Sequence, residues 1–291
     1  MQPNSNQINE VDEQWDEVIA PSAKLFNLRL KEVWRYKDLL LLFVKRDFAA
    51  QYKQTVLGPV WHIIQPLFTT LVFLFLFNTV AGITTDDINP ILFYMSGITI
   101  WNYFSSCLIG TSNTFVANAG IFGKVYFPRL VIPLSTVLSN IIKFGIQFCL
   151  LLIVMIWVGI QQQYFYIGWS ILLLPLLVIM MAGMGLGLGI IISSLTTKYR
   201  DFAVLISFAV QLLMYLTPIA YPLSAIQGKS YAWLLTYNPL TPIVEAFRYA
   251  LLGKGSFDAM HLFYSGIIII VALLFGAVLF NKVERSFMDT V

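Results

Sequence analysis

The sequence predicts an all-α integral membrane protein: six transmembrane helices, an N-terminal cytoplasmic interface helix, and short re-entrant helices between spans five and six. Three observations carry this. Hydrophobic residues make up 58% of the 291 and charged residues only 11%, outside the balance of an ordinary soluble domain. Six apolar runs, roughly 60–81, 91–115, 134–160, 170–194, 202–222 and 262–281, approach the ~20 residues a helix needs to cross the hydrocarbon core. The charges are lopsided too: fourteen Lys and Arg fall in segments on one side of these runs and three on the other. The positive-inside rule then places both termini in the cytoplasm.

Residues 1–23 form an acidic tail (Glu10, Asp12, Glu13, Asp16, Glu17), without the basic start and apolar core of a secretory signal. It reads as flexible or loosely docked. The region 24–58 turns basic, with Lys24, Arg29, Lys31, Arg35, Lys37, Lys45, Arg46 and Lys53. Leu39, Leu40, Phe43 and Val44 share one face at helical spacing, which suits a helix lying on the membrane surface. Asp47 falls on that face as well, so either it pairs with a cation or the face meets a protein partner. Gly58-Pro59 opens the membrane domain 59–285, because proline is tolerated in a helix's first turn.

Inside that domain the second run carries Thr99, Asn102, Ser106, Gly110 and Asn113 on one stripe. Such a stripe lines a hydrated conduit or joins helices by close packing and hydrogen bonds. Cys107 and Cys149 both lie in apolar runs and read as small buried hydrophobes. Lys143, in the third run, is either a functional intramembrane cation or a side chain snorkelling to the inner boundary from a span that starts near Asn140. The fourth run holds Gly183, Gly185, Gly187 and Gly189, two overlapping GxxxG pairs that imply close helix contact.

Segment 223–261 is too apolar for a solvated loop, yet Pro239 and Pro242 interrupt it. Two short helices dipping into the outer leaflet fit best. Thr241 can cap the second, with Gly253 as its stop. Glu245 and Arg248, three apart, can pair on one side. The helix either lies on the surface or gates an exit.

Catalytic signals are thin. No intramembrane carboxylate pair and no His/Cys cluster at ligand spacing is present, and His62 and His261 fall near opposite membrane faces. Leu188 breaks a GxGxxG fingerprint, and Leu223 stands where the first glycine before Gly228-Lys229-Ser230 would be needed for a P-loop. Uphill transport would draw its energy from a partner or an ion gradient.

An ordered set of short motifs carries a resemblance: Tyr36-Lys37-Asp38-Leu39, Arg46-Asp47, Tyr52-Lys53-Gln54-Thr55, Leu57-Gly58-Pro59 with Trp61, and Gln65-Pro66. It continues with the stretch from Lys124 to Pro133, Lys198-Tyr199-Arg200-Asp201, and Asn238-Pro239-Leu240 running on to Phe247-Arg248. Over about residues 30 to 285 the chain resembles the membrane permeases of type-2 ATP-binding-cassette exporters of lipid-linked polysaccharides. The resemblance implies a homodimeric, non-enzymatic permease of the bacterial inner membrane, moving such a polysaccharide, O-antigen above all, outward. It implies two nucleotide-binding ATPase subunits as partners, with ATP and Mg held there and no cofactor in this chain, and no nucleic acid.

The resemblance also implies roles. Arg46, Asp47, Tyr52, Lys53, Lys124, Arg129, Lys198, Arg200 and Asp201 would couple to the ATPase, and Glu245, Phe247 and Arg248 would form the gate in segment 223–261. A sugar conduit suits ring faces and neutral polar groups, which makes Phe68, Phe73, Trp101, Tyr103, Phe104 and Tyr215 candidates beside Thr99, Asn102, Ser106 and Asn113. An exporter of drugs or small lipids on the same fold, a membrane-embedded glycan transferase using loop carboxylates, and a passive channel are the alternatives.

Overall fold

The computed structural model describes residues 30–287 except 123, 126, 164, 165, 167, 200 and 227. The acidic tail, the first basic residues as far as Arg29, and Arg200 therefore lie outside the described residues. In chain order the helices are α1 (Leu30–Arg35), α2 (Lys37–Tyr52), α3 (Trp61–Phe73), α4 (Pro90–Ser112), α5 (Thr114–Phe122) and α6 (Val131–Gln162). They continue with α7 (Leu174–Thr196), α8 (Phe202–Tyr215), α9 (Ala232–Thr236), α10 (Thr241–Leu252) and α11 (Ala259–Phe287). No strand occurs among the described residues.

Among the described residues, four helical stretches are long and apolar enough to cross a membrane: Gly58–Val80, Val131–Gln162, Trp169–Thr196 and Ala259–Val283. The second and fifth expected spans differ from these. α4 has 23 residues, but sixteen of them are buried in the protein, so neighbouring helices shield most of its length. The fifth run does not make one helix to residue 222. α8 ends at Tyr215 after 14 residues, a rise of about 21 Å, because Pro218 and Pro222 remove backbone donors just beyond it.

α7 is the hub, packed along α4 on one side and α11 on the other. Its glycines explain how. A Cβ on Gly185 would lie 2.8 Å from Cys107 Cβ, and one on Gly189 would lie 2.6 Å from Thr111 Cβ, both on α4. A Cβ on Gly183 would meet Ile269 Cγ2 at 2.9 Å, and one on Gly187 the Ala272 backbone at 3.1 Å, both on α11. Each GxxxG pair thus admits a different neighbour, and the expected close contacts are present on both faces of one helix.

α3 carries Pro66 inside its helical run, and Thr70 Oγ1 donates to the Pro66 carbonyl at 2.7 Å. Beyond Phe73 the chain widens into π-helix over Leu74–Val80; a widened turn of this kind marks departure from regular packing. α2 crosses α6, and its Phe43 packs at 5.7 Å on Phe127, in a cluster with Phe122, Val131 and Ile132. Leu39 and Leu40 lie against the same cluster. The apolar face of α2 therefore meets this chain's own α5–α6 corner.

Two expectations about α10 change. It is not surface-lying: ten of its twelve residues are buried. Thr241 is the first helical residue rather than the cap, and its Oγ1 has no hydrogen-bond partner. Asn238 closes the turn instead, accepting from Leu240 N–H at 3.0 Å and donating to the Leu216 carbonyl at 2.8 Å. Gly253 ends the helix with φ +67° as expected.

Candidate functional site

The polar stripe of α4 faces α6. Asn102 Nδ2 donates to Gln147 Oε1 at 3.2 Å, and a Cβ on Gly110 would lie 2.6 Å from Thr136 Cγ2. Ser106 lines a cavity beside α6. Thr99 and Asn113 turn back on their own helix, Thr99 Oγ1 to the Met95 carbonyl and Asn113 Nδ2 to the Ile109 carbonyl. Of the two readings the stripe allowed, the hydrogen bond and close approach within one chain are those of helix contact.

The aromatic candidates divide. Trp101, Tyr103, Phe104 and Phe73 are 4%, 2%, 0% and 6% exposed and belong to the main core. Within one chain they offer sugars no surface. Phe68 and Tyr215 are 64% and 44% exposed, one on α3 and one at the end of α8. Those two helices bury little: Pro66, Thr70 and Phe73 on α3, and Val210 on α8.

The coupling candidates sit at the ends of α2, α5 and α7. Asp47 finds its cation next door: Arg46 Nε and Nη2 donate to Asp47 Oδ1 at 2.9 and 2.7 Å. Lys53, Lys124, Lys198 and Asp201 are exposed. Tyr52 is half-buried, edge-on to His62 at 5.7 Å, and burial pushes its phenol up. Arg129 differs from the rest. It is 7% exposed, with its guanidinium over the Phe122 ring at 5.2 Å, so it supports the loop from beneath.

The gate candidates form one buried knot. Arg248 is fully buried and pairs with Glu245 at 2.9 Å, itself 5% exposed. Arg248 also donates to the carbonyls of Pro218 and Ile219 and lies 3.8 Å from the centre of the Phe93 ring. A Cβ on Gly97 would fall 2.7 Å from Arg248 Nη2; only glycine leaves room there. α10 is thereby tied to α4 and to the turn after α8. Phe247 packs in the core near Phe144 and Phe148.

Sequence reasoning missed the α6 side of the α4 contact. Ser135, Ser139, Lys143 and Gln147 recur at intervals of four, a polar stripe as regular as the one noticed on α4. Gly97 and Phe93, which seat Arg248, gave no separate signal.

The chain matches the ABC-2 type transporter family over residues 38–252, from α2 through α10. It is 30% identical over 255 residues to the O-antigen export system permease protein RfbA of Klebsiella pneumoniae, covering 87% of this chain and 94% of that protein. It is 26% identical over 264 residues to the protein of the same name from Myxococcus xanthus, covering 90% and 98%. The polysialic acid transport protein KpsM of Escherichia coli is 24% identical over 254 residues, covering 84% and 93%. With a family match across most of its length and relatives aligned nearly end to end, the chain belongs to the ABC-2 type transporter family, as a multi-pass membrane permease.

Proposed function

We propose that this permease works as a homodimer in the bacterial inner membrane, moving a lipid-linked polysaccharide of the O-antigen class outward from the cytoplasm. Two separate ATPase subunits bind ATP and Mg and supply the energy. The observation that carries this reading is the 30% identity to an O-antigen export permease across 94% of that relative.

The architecture supports the rest. In this reading α4, which has the length of a span, and α8, continued by the chain through Pro222, would complete a six-span path with the four longer helices, and α2 would lie across the inner end as an interface helix. Two helices with little packing of their own, α3 and α8, turn Phe68, Phe208 and Tyr215 outward, and Phe75 in the widened stretch after α3 is exposed as well. A second copy facing them would enclose a channel with aromatic walls, over which sugar C–H groups can slide. ATP-driven closure would press on α2, the loop at Lys124 and the turn at Lys198–Asp201, shifting rigid spans against one another. The knot at Arg248 would carry that movement to α9 and α10 at the exit.

The test is a surface-polysaccharide gel from a strain lacking the chain, with and without complementation. Loss of long surface glycan, with lipid-linked polymer accumulating inside, is the expected result. Normal surface glycan would overturn it.

A further inference from the structure

A cavity of about 180 Å³ lies where α2, α4 and α6 meet, lined by Asp47, Ser106, Thr136, Ser139, Asn140 and Lys143 among others. Its polar groups are not satisfied by one another. Ser139 is 6% exposed and its Oγ has no hydrogen-bond partner. Asn140 is 4% exposed, and its Nδ2 reaches the Cys107 sulfur at 4.0 Å, the outer limit for such a bond. Asp47 is neutralised by Arg46 at 2.7 Å, and among the described residues no ion pair is made by Lys143.

The net local charge is therefore that of one ammonium, half-buried and without an ion pair, beside an unpartnered Ser139 hydroxyl and an Asn140 amide held only by a sulfur. A charge held away from water is costly unless paired. Ammonium, hydroxyl and amide donors converging on one space match an anion with several acceptor oxygens.

Depth and size narrow the anion. α6 has 32 residues, about 48 Å at 1.5 Å per residue, which exceeds the ~30 Å hydrocarbon core by about 18 Å. Lys143 stands twelve residues after Val131, also about 18 Å along. With the surplus on the inner side, the cavity sits at headgroup level. The volume is well below the roughly 300–1,000 Å³ of pockets for drug-sized ligands, so a head group fits and a sugar chain does not.

We propose that this cavity binds a phosphate ester at the inner membrane boundary, with Lys143 as its cation and Ser139 and Asn140 as donors. The phosphate belongs to a membrane lipid or to the carrier of the glycan; only the second assignment rests on the export reading.

The test is calorimetric titration of the purified full-length permease with dihexanoyl phosphatidic acid, inorganic phosphate and dihexanoylglycerol. Saturable binding of the phosphatidic acid, weakened at least about tenfold in Lys143→Gln and kept in Lys143→Arg, is expected. Competition by inorganic phosphate at similar concentration would keep the phosphate site and assign it to the free anion. Equal binding of dihexanoylglycerol, no binding of any probe, or unchanged affinity in Lys143→Gln would overturn the proposal. Should Lys143→Gln fail to fold, Ser139→Ala is the deciding variant, with at least about threefold weakening expected and unchanged affinity counting against the site. Binding is read on the isolated permease, so phosphatidic acid binding with normal surface glycan in the deletion strain sinks only the export reading.

Discussion

Arg248 is buried with its two terminal nitrogens committed to Glu245 and two carbonyls and its guanidinium against the face of Phe93, while its Nε has no hydrogen-bond partner. Removing one member of a buried pair leaves the other uncompensated, at a cost of about 3–5 kcal/mol, whereas replacing both by apolar residues can be nearly neutral. Arg248→Met is therefore expected to lower the thermal midpoint of the purified permease sharply, and the double change Arg248→Met with Glu245→Leu to recover much of it. A double variant no better than the single one would show that the carbonyl contacts dominate. Arg129 and Lys124 make a second contrast. Arg129→Glu puts a carboxylate into a buried place over Phe122 and should reduce the yield of folded protein. Lys124→Glu, at an exposed place, should leave the yield unchanged and lower recovery of the ATPase in detergent pull-downs. At the start of α11, hydrogen bonds from His261 Nδ1 and from the Met260 and His261 amides hold the Asp258 carboxyl below the usual carboxylate range. A lowered native value means the contribution is complete above the unfolded value, about pH 3.9, and is lost as pH falls through the native one. Protection factors of the Met260 and His261 amides should fall across that acid window.

At the scale of elements, α7 is shaped by the positions where side chains are missing. Gly187→Ala drives a methyl group toward the Ala272 backbone, which cannot rotate away, and overpacking of this kind costs about 1–3 kcal/mol. Gly145 on α6 and Gly266 on α11 have nothing within 4 Å of an added Cβ. Alanine there relieves the helix penalty of glycine and should stabilise by up to about 1 kcal/mol. Melting curves of the three single variants would decide this, and destabilisation by Gly145→Ala or Gly266→Ala would mark a face covered by another subunit. The stripes on α4 and α6 show the same economy: small and polar groups meet each other, and the lipid-facing surface keeps Ile and Leu.

For the whole molecule, one chain leaves α3 and α8 with aromatic faces uncovered, and the dimer reading supplies the cover. Cysteine at Phe208, 59% exposed, in a background carrying Cys149→Ser, should give a disulfide-linked dimer in native membranes, seen as a doubled band on a non-reducing gel. A monomer band alone would turn α8 toward lipid. The two ends of the molecule differ in kind. Lys53, Lys124, Lys198 and Asp201 are exposed, where the proposed function puts the ATPase, while the Glu245–Arg248 pair at the other end is buried within α10.

The sequence by itself determined the all-helical membrane class, the helix-joining glycines and the Glu245–Arg248 pairing, because apolar length, small-residue spacing and i,i+3 placement are local properties. Asp47's partner was also within one residue of it. Only the tertiary structure decided which runs are shielded by protein. α4 has the length of a span but is buried, and Trp101, Tyr103 and Phe104 vanish into the core, since periodicity records that a face is apolar and not whether lipid or another helix covers it. The same holds for α10, whose twelve residues read as a surface helix until Gly97 opened a seat for Arg248 on α4. That seat pairs residues some 150 positions apart, and no local pattern encodes such a contact.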